Sequence, residues 1–441
     1  MDMDIIKNRR VLVVGLGVTG ESVVRFLHAQ QVKFDVVDEK FKPGDALQSY
    51  LADSTVYTNL DAQLCNRYDV LVISPGVPRS LQALQNAAAA GVEIIGDIEL
   101  FTQAIGDTPV IAVTGSNGKS TVVSWIAHVL NHCGKRVKLC GNIGTPALDS
   151  IDANAELYVL ELSSYQLEST KTLKAISATV LNISDDHMDR YASIEHYAQV
   201  KRRVYQGCPH SVVNLDDRRT WVKQSNSTAF SLFNIDGAEY HILKAANDAW
   251  LCHGEKKLLL RSQLQTPGDH NVANALAVLA LLQPINLDLN QMIVGLVAFN
   301  GLEHRTEFVL ERQGVRWYND SKGTNIDACK KAITAMSGPV VLIAGGISKG
   351  ADFSVLREVV EQHVKALLLI GKDATLIRDA LNGATKIFMA TGLNEVVRLA
   401  DELADSGDVV LLSPACSSFD MFDNFEQRGL LFKEAVESIA A

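Results

Sequence analysis

Residues 110–121 read Val110-Ile111-Ala112-Val113-Thr114-Gly115-Ser116-Asn117-Gly118-Lys119-Ser120-Thr121. Apolar residues of a buried strand run straight into a glycine-lysine-serine turn, and Val122 to Leu130 follows with the apolar spacing of a helix packed on a sheet. Strand, Gly-rich turn and helix together make a phosphate cradle. Gly115 and Gly118 let backbone N–H groups approach phosphate oxygens, the helix start adds its positive end, Lys119 brings a point charge, and the Ser120 hydroxyl can reach Mg²⁺. Val113 stands where the strict P-loop has its first glycine, so this is a variant of that motif. The bland alternative is a strand-to-helix turn with a surface lysine. The complete Gly-x-x-Gly-Lys-Ser-Thr string in this context favours a phosphate ligand, with ATP the guest it suits.

A second nucleotide-type turn lies upstream. Arg10 to Val14 reads as a strand, Gly15-Leu16-Gly17-Val18-Thr19-Gly20 as a glycine-rich turn, Glu21 to Leu27 as a helix, and Phe34 to Val37 as a strand ending in Asp38. This is the dinucleotide fingerprint in its proper flanks, with an acid placed to hold a ribose. Asp69 to Ile73 then leads into Ser74-Pro75-Gly76-Val77-Pro78, a turn at the ligand-facing edge of such a sheet. For Ser74 and Gly76, plain turn chemistry competes evenly with a binding role. A boundary falls near Gly91 to Asp97, and two phosphate-type turns in one chain imply two phosphate-bearing ligands.

The composition sets limits. At 441 residues the chain has room for about three domains of ~150 residues. Its 47% hydrophobic and 21% charged content is that of a globular protein, and no apolar run approaches the ~20 residues of a membrane span. Met1 to Arg10 has no apolar core of a secretory signal. Seven scattered cysteines read as free thiols in a reducing cytoplasm, and a net charge of -10 argues against nucleic acid as a partner.

After the P-loop, Leu157 to Leu160 reads as a strand ending on Glu161, a Walker-B-like carboxylate for Mg²⁺. Ala178 to Ile183 repeats the logic and opens into Ser184-Asp185-Asp186-His187-Met188-Asp189-Arg190-Tyr191, where His187 is the candidate ligand. Lys201, on a helix from Ser193 to Tyr205, reads on spacing alone as a solvated lysine. Val212 to Thr266 reads as a small antiparallel insertion of hairpins. The strands expected of a third sheet are Val315 to Tyr318, Val340 to Ala344, Ala366 to Ile370, Lys386 to Ala390 and Val409 to Leu412.

Taken in order, Thr114 to Thr121, Leu160 to Ser164, Asp186 to Arg190, Asp269 to Asn274, His304-Arg305 and Asn319 to Thr324 resemble the Mur ligase family over nearly the whole chain. Gly96 to Phe101, Leu411 to Asp420 and Phe425 to Gly429 narrow the resemblance to its D-glutamate-adding branch. The fold this implies is α/β in three domains. Residues 1–97 would form a Rossmann-like UDP-sugar domain, 98–302 a P-loop ATPase-like domain with the antiparallel insertion, and 303–441 a Rossmann-like domain for ATP and D-glutamate. The activity implied is ATP-driven addition of D-glutamate to UDP-N-acetylmuramoyl-L-alanine through an acyl phosphate, by a cytoplasmic monomer.

The resemblance also assigns residues. Lys119, Glu161, His187 and Lys201 are the implied catalytic set. Ser120 and Glu161 would hold one Mg²⁺, His187 and a carbamylated Lys201 a second, which reverses the solvated reading of that lysine. Gly115, Ser116, Asn117, Gly118, Thr121, Asn271, Asn274, Arg305, Asp320 and Lys322 would line ATP. Val18, Thr19, Asp38, Ser74, Gly76, Asn142 and His187 would meet the UDP-sugar, and Thr324, Lys349, Ser418, Phe419 and Phe425 the D-glutamate. By themselves Phe419 and Phe425 read as core. Two departures stand out: Asp38-Glu39-Lys40 is acidic in the middle where relatives are often neutral, and Glu303 replaces a proline common before His304-Arg305. The rival readings are an NAD-dependent oxidoreductase, argued from Gly15 to Asp38, a non-catalytic nucleotide switch, and a related ligase for another amino acid.

Overall fold

A computed structural model describes residues 5–440 apart from 41–46, 187, 189, 223–225, 247, 267 and 349. The candidates His187 and Lys349 therefore lie outside the described residues. The chain divides into two compact units, Met1–Arg261 with Asn274–Leu296, and Ser262–Ala273 with Val297–Ala441.

The first unit holds two sheets. β1 (Val11–Val14), β2 (Phe34–Val37), β3 (Val56–Tyr57), β4 (Val70–Ile73) and β5 (Glu93–Ile95) form a sheet in the order β3-β2-β1-β4-β5, every pair parallel. The chain leaves β1 in one direction and returns past it to β4, so the sequence of strands reverses at the Gly15 to Gly20 turn. A crevice outside the carboxyl ends at such a reversal is where α/β sheets take ligands.

β6 (Val110–Thr114), β7 (Val137–Gly141), β8 (Leu157–Glu161), β9 (Ser177–Val180), β10 (Ser211–Asn214), β11 (Ser227–Phe230), β12 (Tyr240–Lys244), β13 (Ala249–His253) and β14 (Lys256–Leu260) form the second, in the order β14-β13-β12-β11-β10-β9-β6-β8-β7. The expectation of a small antiparallel insertion over Val212 to Thr266 is corrected in part. β10 and β11 are parallel strands continuing the P-loop sheet, and antiparallel pairing is confined to β12–β14 at its edge. Burial explains the difference: β10 is enclosed along its whole length, as a strand covered on both faces must be, whereas β14 exposes its lysines.

One core joins the two sheets. Ile98, Leu100, Phe101 and Ala104 of the helix Asp97–Ile105 pack in a cluster with Val13 and Phe26 on one side and Tyr158 and Leu160 on the other. The carboxyl ends of β1, β4, β6, β8 and β9 are thereby carried on one compact unit.

In the second unit β15 (Glu307–Arg312), β16 (Val315–Asn319), β17 (Val340–Gly345), β18 (Val364–Ile370), β19 (Lys386–Met389) and β20 (Val409–Leu412) run in the order β15-β16-β20-β17-β18-β19. Five match the strands expected from sequence, while the antiparallel edge strand β15 was not anticipated. It is bulged and its residues are mostly half-exposed, so its alternation is weak. Leu342, Leu367 and Leu411 face one core, and Val341, Leu368 and Val410 face the other, because successive side chains of a strand point to opposite faces. No helix among the described residues is long and apolar enough to cross a membrane, and the seven cysteines are free thiols.

Candidate active site

The P-loop turn departs from ordinary backbone where the sequence places glycine. Gly118 caps the helix Lys119–His132 in the left-handed region at φ +86°, and a Cβ there would lie 2.9 Å from Asn274 Oδ1. Only glycine meets both conditions without strain. Asn182, just beyond β9, splints the loop. Its backbone oxygen accepts from the Ser116 amide at 2.9 Å, its Oδ1 from the Asn117 amide at 2.9 Å, and its Nδ2 donates to Asn117 O at 3.0 Å. The Ser116 hydroxyl in turn accepts from the Ser184 amide at 2.9 Å. Asn182 carried no role in the sequence reading, although a polar residue at the end of an apolar run was the available signal.

Two lysines converge on this loop. Lys119 Nζ donates to Gly115 O at 2.8 Å and Ser116 O at 2.9 Å, while Lys201 Nζ donates to the same Gly115 O at 2.9 Å and to Thr114 Oγ1 at 3.2 Å. Lys201 is 1% exposed, so it is not the solvated helix lysine that spacing suggests. Burial first, and then the Lys119 charge, push its pKa well below the ordinary lysine value, against the opposing pull of Asp186 and Glu161. Two ammonium groups sharing one carbonyl in a desolvated pocket repel, so Lys201 holds its proton less tightly than an ordinary lysine. The amine lies 4.7 Å from the Tyr197 ring centroid.

Glu161 ends β8 opposite Val113 of the P-loop strand. Its Oε1 accepts from Asn142 Nδ2 at 2.8 Å, and the Asn142 amide donates to Glu161 O at 2.8 Å. Its Oε2 is buried and has no hydrogen-bond partner among the described residues. Such an oxygen is expensive to bury alone and is what a hard cation would complete. Ser120 and Thr121 are buried beside the loop, and Asn274 faces Gly118.

At the first glycine turn, a Cβ at Gly20 would run into the Gly15 carbonyl, whereas the Cβ positions of Gly17 and Gly76 face open space. Ser74 Oγ donates to Gly15 O at 2.7 Å. Asp38 accepts from the Leu16 amide at 2.7 Å and the Lys40 amide at 2.7 Å, so both oxygens shape the turn. Val18 is 71% exposed and Thr19 follows it on the first turn of the helix Val18–Ala29.

Within the second unit, Asp320 follows β16 and is held by Thr306 N at 3.1 Å and Ser413 Oγ at 2.7 Å. Burial raises its carboxyl to about 6, with Arg305 opposing. Lys322 sits 3.5 Å from the Phe425 ring centroid, and Lys322 O accepts from the Thr324 amide at 2.8 Å. Arg428, given no role from sequence, is 1% exposed and donates to Ser321 O at 2.7 Å, Ser321 Oγ at 2.9 Å and Cys416 O at 3.3 Å, tying these loops together. Asn271 and Ser418 are buried. Phe419, read by itself as core, is 69% exposed, because it lies in the loop beyond β20 and not on a packed face.

Family models match the chain in the same order as its sheets: the Mur ligase MurD-like N-terminal domain over residues 9–96, the Mur ligase middle domain over 113–282, and the Mur ligase glutamate ligase domain over 304–416. The UDP-N-acetylmuramoylalanine–D-glutamate ligase of Marinobacter nauticus is 44% identical, covering 99% of each chain, and that of Pseudomonas aeruginosa 44% identical over 97% of this chain and 98% of its own. Among solved structures, the UDP-N-acetylmuramate-alanine ligase MurC of Thermotoga maritima has a TM-score of 0.61 at 18% identity, covering 98% of this chain and all of its own, which extends the likeness of fold. Agreement from end to end, over every sheet described above, means that the chain belongs to the Mur ligase family.

Proposed function

We propose that this protein joins D-glutamate to UDP-N-acetylmuramoyl-L-alanine at the expense of ATP, forming ADP and phosphate in peptidoglycan precursor synthesis. The observation that carries the reading is end-to-end identity of 41–44% with relatives named for that ligase. The site geometry supports it. In the reaction the alanine carboxylate attacks the γ-phosphorus in line, ADP leaves, and the D-glutamate amine displaces phosphate from the acyl phosphate. The barrier is the approach of two anions, so catalysis is mainly positioning and charge neutralisation.

Lys119 would exchange its two loop carbonyls for the γ-phosphate. Glu161 and Ser120 suit Mg²⁺, because a buried carboxylate oxygen without a hydrogen-bond partner among the described residues lies beside the P-loop. That is the sparse protein ligation Mg²⁺ accepts when phosphates and water complete its shell. The bound ion supplies charge neutralisation at the phosphates. Lys201, buried and with its pKa lowered, is disposed to add carbon dioxide at Nζ, losing a proton and becoming an oxygen-donor anion that with His187 would serve a second ion. Asn142, fixed on Glu161, would face the sugar-peptide, with the turn of Val18, Thr19, Asp38, Ser74 and Gly76 around the UDP end.

Asn271, Asn274, Arg305, Asp320 and Lys322 would serve ATP, and Thr324, Lys349, Ser418, Phe419 and Phe425 the D-glutamate. Residues 1–97 would serve as the UDP-sugar domain, 98–302 as the ATP-binding domain, and 303–441 as a domain contributing to ATP and D-glutamate binding. The enzyme would act as a cytoplasmic monomer. The test is phosphate release from ATP with UDP-N-acetylmuramoyl-L-alanine across D- and L-amino acids. Release dependent on D-glutamate is expected. Release with L-lysine, diaminopimelate or L-alanine instead, or none, would overturn the assignment.

A further inference from the structure

Arg190 closes the acid-histidine motif, yet no role has been found for it above. Its Nε and Nη2 donate to the two oxygens of Glu168 at 3.3 and 2.7 Å, Nη1 donates to Pro75 O at 2.9 Å, and Nη2 also reaches Val77 O at 3.4 Å. The guanidinium carbon lies 4.0 Å from the Tyr165 ring centroid. Tyr191, the next residue, donates its hydroxyl to Glu168 Oε1 at 2.7 Å, and Glu168 O accepts from Arg79 at 2.7 Å. One side chain thus ties together three segments that leave the carboxyl ends of β4, β8 and β9.

Each segment leads to a different part of the site. Pro75 and Val77 flank Gly76, where the space for a Cβ is open, and adjoin Ser74, which holds the first glycine turn. Glu168 ends the helix Ser164–Glu168, whose N-cap Ser163 stands two residues beyond Glu161. Tyr191, the neighbour of Arg190, packs with its ring centroid 5.1 Å from that of Tyr197, whose ring lies 4.7 Å from Lys201 Nζ. The pair is well shielded, with side-chain exposures of 11% for Arg190 and 14% for Glu168. A planar fork can pair bidentately with a carboxylate while its remaining N–H groups reach carbonyls to the side, and an ammonium cannot keep that geometry.

We propose that Arg190 is a positioning residue that locks the Ser74 to Pro78 loop to the loop facing Lys201, so that the UDP-sugar is presented in register with the phosphate-transfer centre. This rests on the ligase reading. The hydrogen bonds of Arg190 run to Glu168, Pro75 and Val77 and to none of the P-loop residues, so its loss is expected to fall on the UDP-sugar and on turnover and to spare ATP.

Wild type is assayed first for D-glutamate-dependent phosphate release; absence of release would sink the ligase reading and not this one. Arg190→Lys is then expected to raise KM for UDP-N-acetylmuramoyl-L-alanine by about tenfold or more and to lower kcat, with KM for ATP changed less than about twofold. Glu168→Gln keeps the side-chain shape and should show the same selective effect in smaller measure if the lysine variant folds poorly. The double variant should lose less than the sum of the two single losses, as residues that share a contact are not additive. Equal rises in both KM values, unchanged kinetics in folded variants, or additive losses in the double variant would each overturn the proposal.

Discussion

Replacing Lys201 by methionine separates its role in stability from its role in turnover. The thioether keeps the length of the side chain and removes the amine, so two hydrogen bonds are lost, to Gly115 O and Thr114 Oγ1. Neither acceptor is stranded: Gly115 O keeps Lys119 Nζ at 2.8 Å, and Thr114 Oγ1 keeps its own bond to Leu162 O at 2.7 Å. At about 0.5–1.5 kcal/mol net per bond, the substitution costs about 1–3 kcal/mol where the amine is neutral in both states. Below its ordinary value of 10.5, however, the unfolded chain carries Lys201 protonated, while the native chain, with that pKa lowered by burial and by Lys119, binds the proton less tightly. The unfolded state then binds more protons, so wild-type stability rises with pH through this window by up to about 1.4 kcal/mol per unit, and the methionine variant lacks that contribution. The expected outcome is wild type more stable near pH 10, with the gap closing or reversing by pH 8. Urea unfolding of both proteins in buffers free of carbon dioxide reads the difference. Phosphate release should fall below detection in the variant, and bicarbonate should stabilise wild type alone. Parallel stabilities from pH 8 to 10, or retained turnover, would refute a functional Lys201 with a lowered pKa. Arginine makes a poorer probe than methionine, because it would bring a permanent charge into the same enclosed pocket.

Glu161→Gln preserves the Asn142 contact and removes only the charge, so activity should drop at least about a hundredfold with no loss of thermal stability; a variant retaining normal Mg²⁺ dependence would argue against ligation there. Gly118→Ala forces a Cβ into a left-handed residue facing Asn274, costing about 1–2 kcal/mol and raising KM for ATP; an unfolding curve and nucleotide titration matching wild type would show that the turn relaxes freely. Asp97 is 3% exposed, is hydrogen-bonded to Gln166 through one oxygen only, and is raised by burial to about 6 against an ordinary 3.8. Between about pH 4 and 6 the native chain retains a proton that the unfolded chain has released, so stability falls as pH rises through that window by about 3 kcal/mol. Asp97→Asn should flatten this part of the stability–pH curve, and an unchanged slope would place the proton elsewhere.

The glycine turns and the apolar runs before them were legible because they are local: a buried parallel strand is written as a continuous apolar string, and a turn that needs left-handed backbone is written as glycine. Glu161 was legible for the same reason, as an acid directly after such a string. Strand β15, the parallel pairing of β10 and β11, and the exposure of Phe419 were not, since each depends on what lies against the segment and not on its own spacing. The solvated reading of Lys201 failed in the same way.

The sequence by itself determined that two phosphate-type turns stand on parallel sheets, that a third sheet follows, and, through ordered motifs, which family the chain resembles. Only the tertiary structure decided that β9 lies beside β6, which brings Asn182 under the P-loop and Lys201 onto the Gly115 carbonyl beside Lys119. It alone joined Arg190 to Pro75, 115 positions away. The reason is physical: propensity and periodicity act over one or two turns of chain, whereas the protonation of a buried amine and the aim of a guanidinium are set by neighbours that strand order and helix packing deliver from distant sequence.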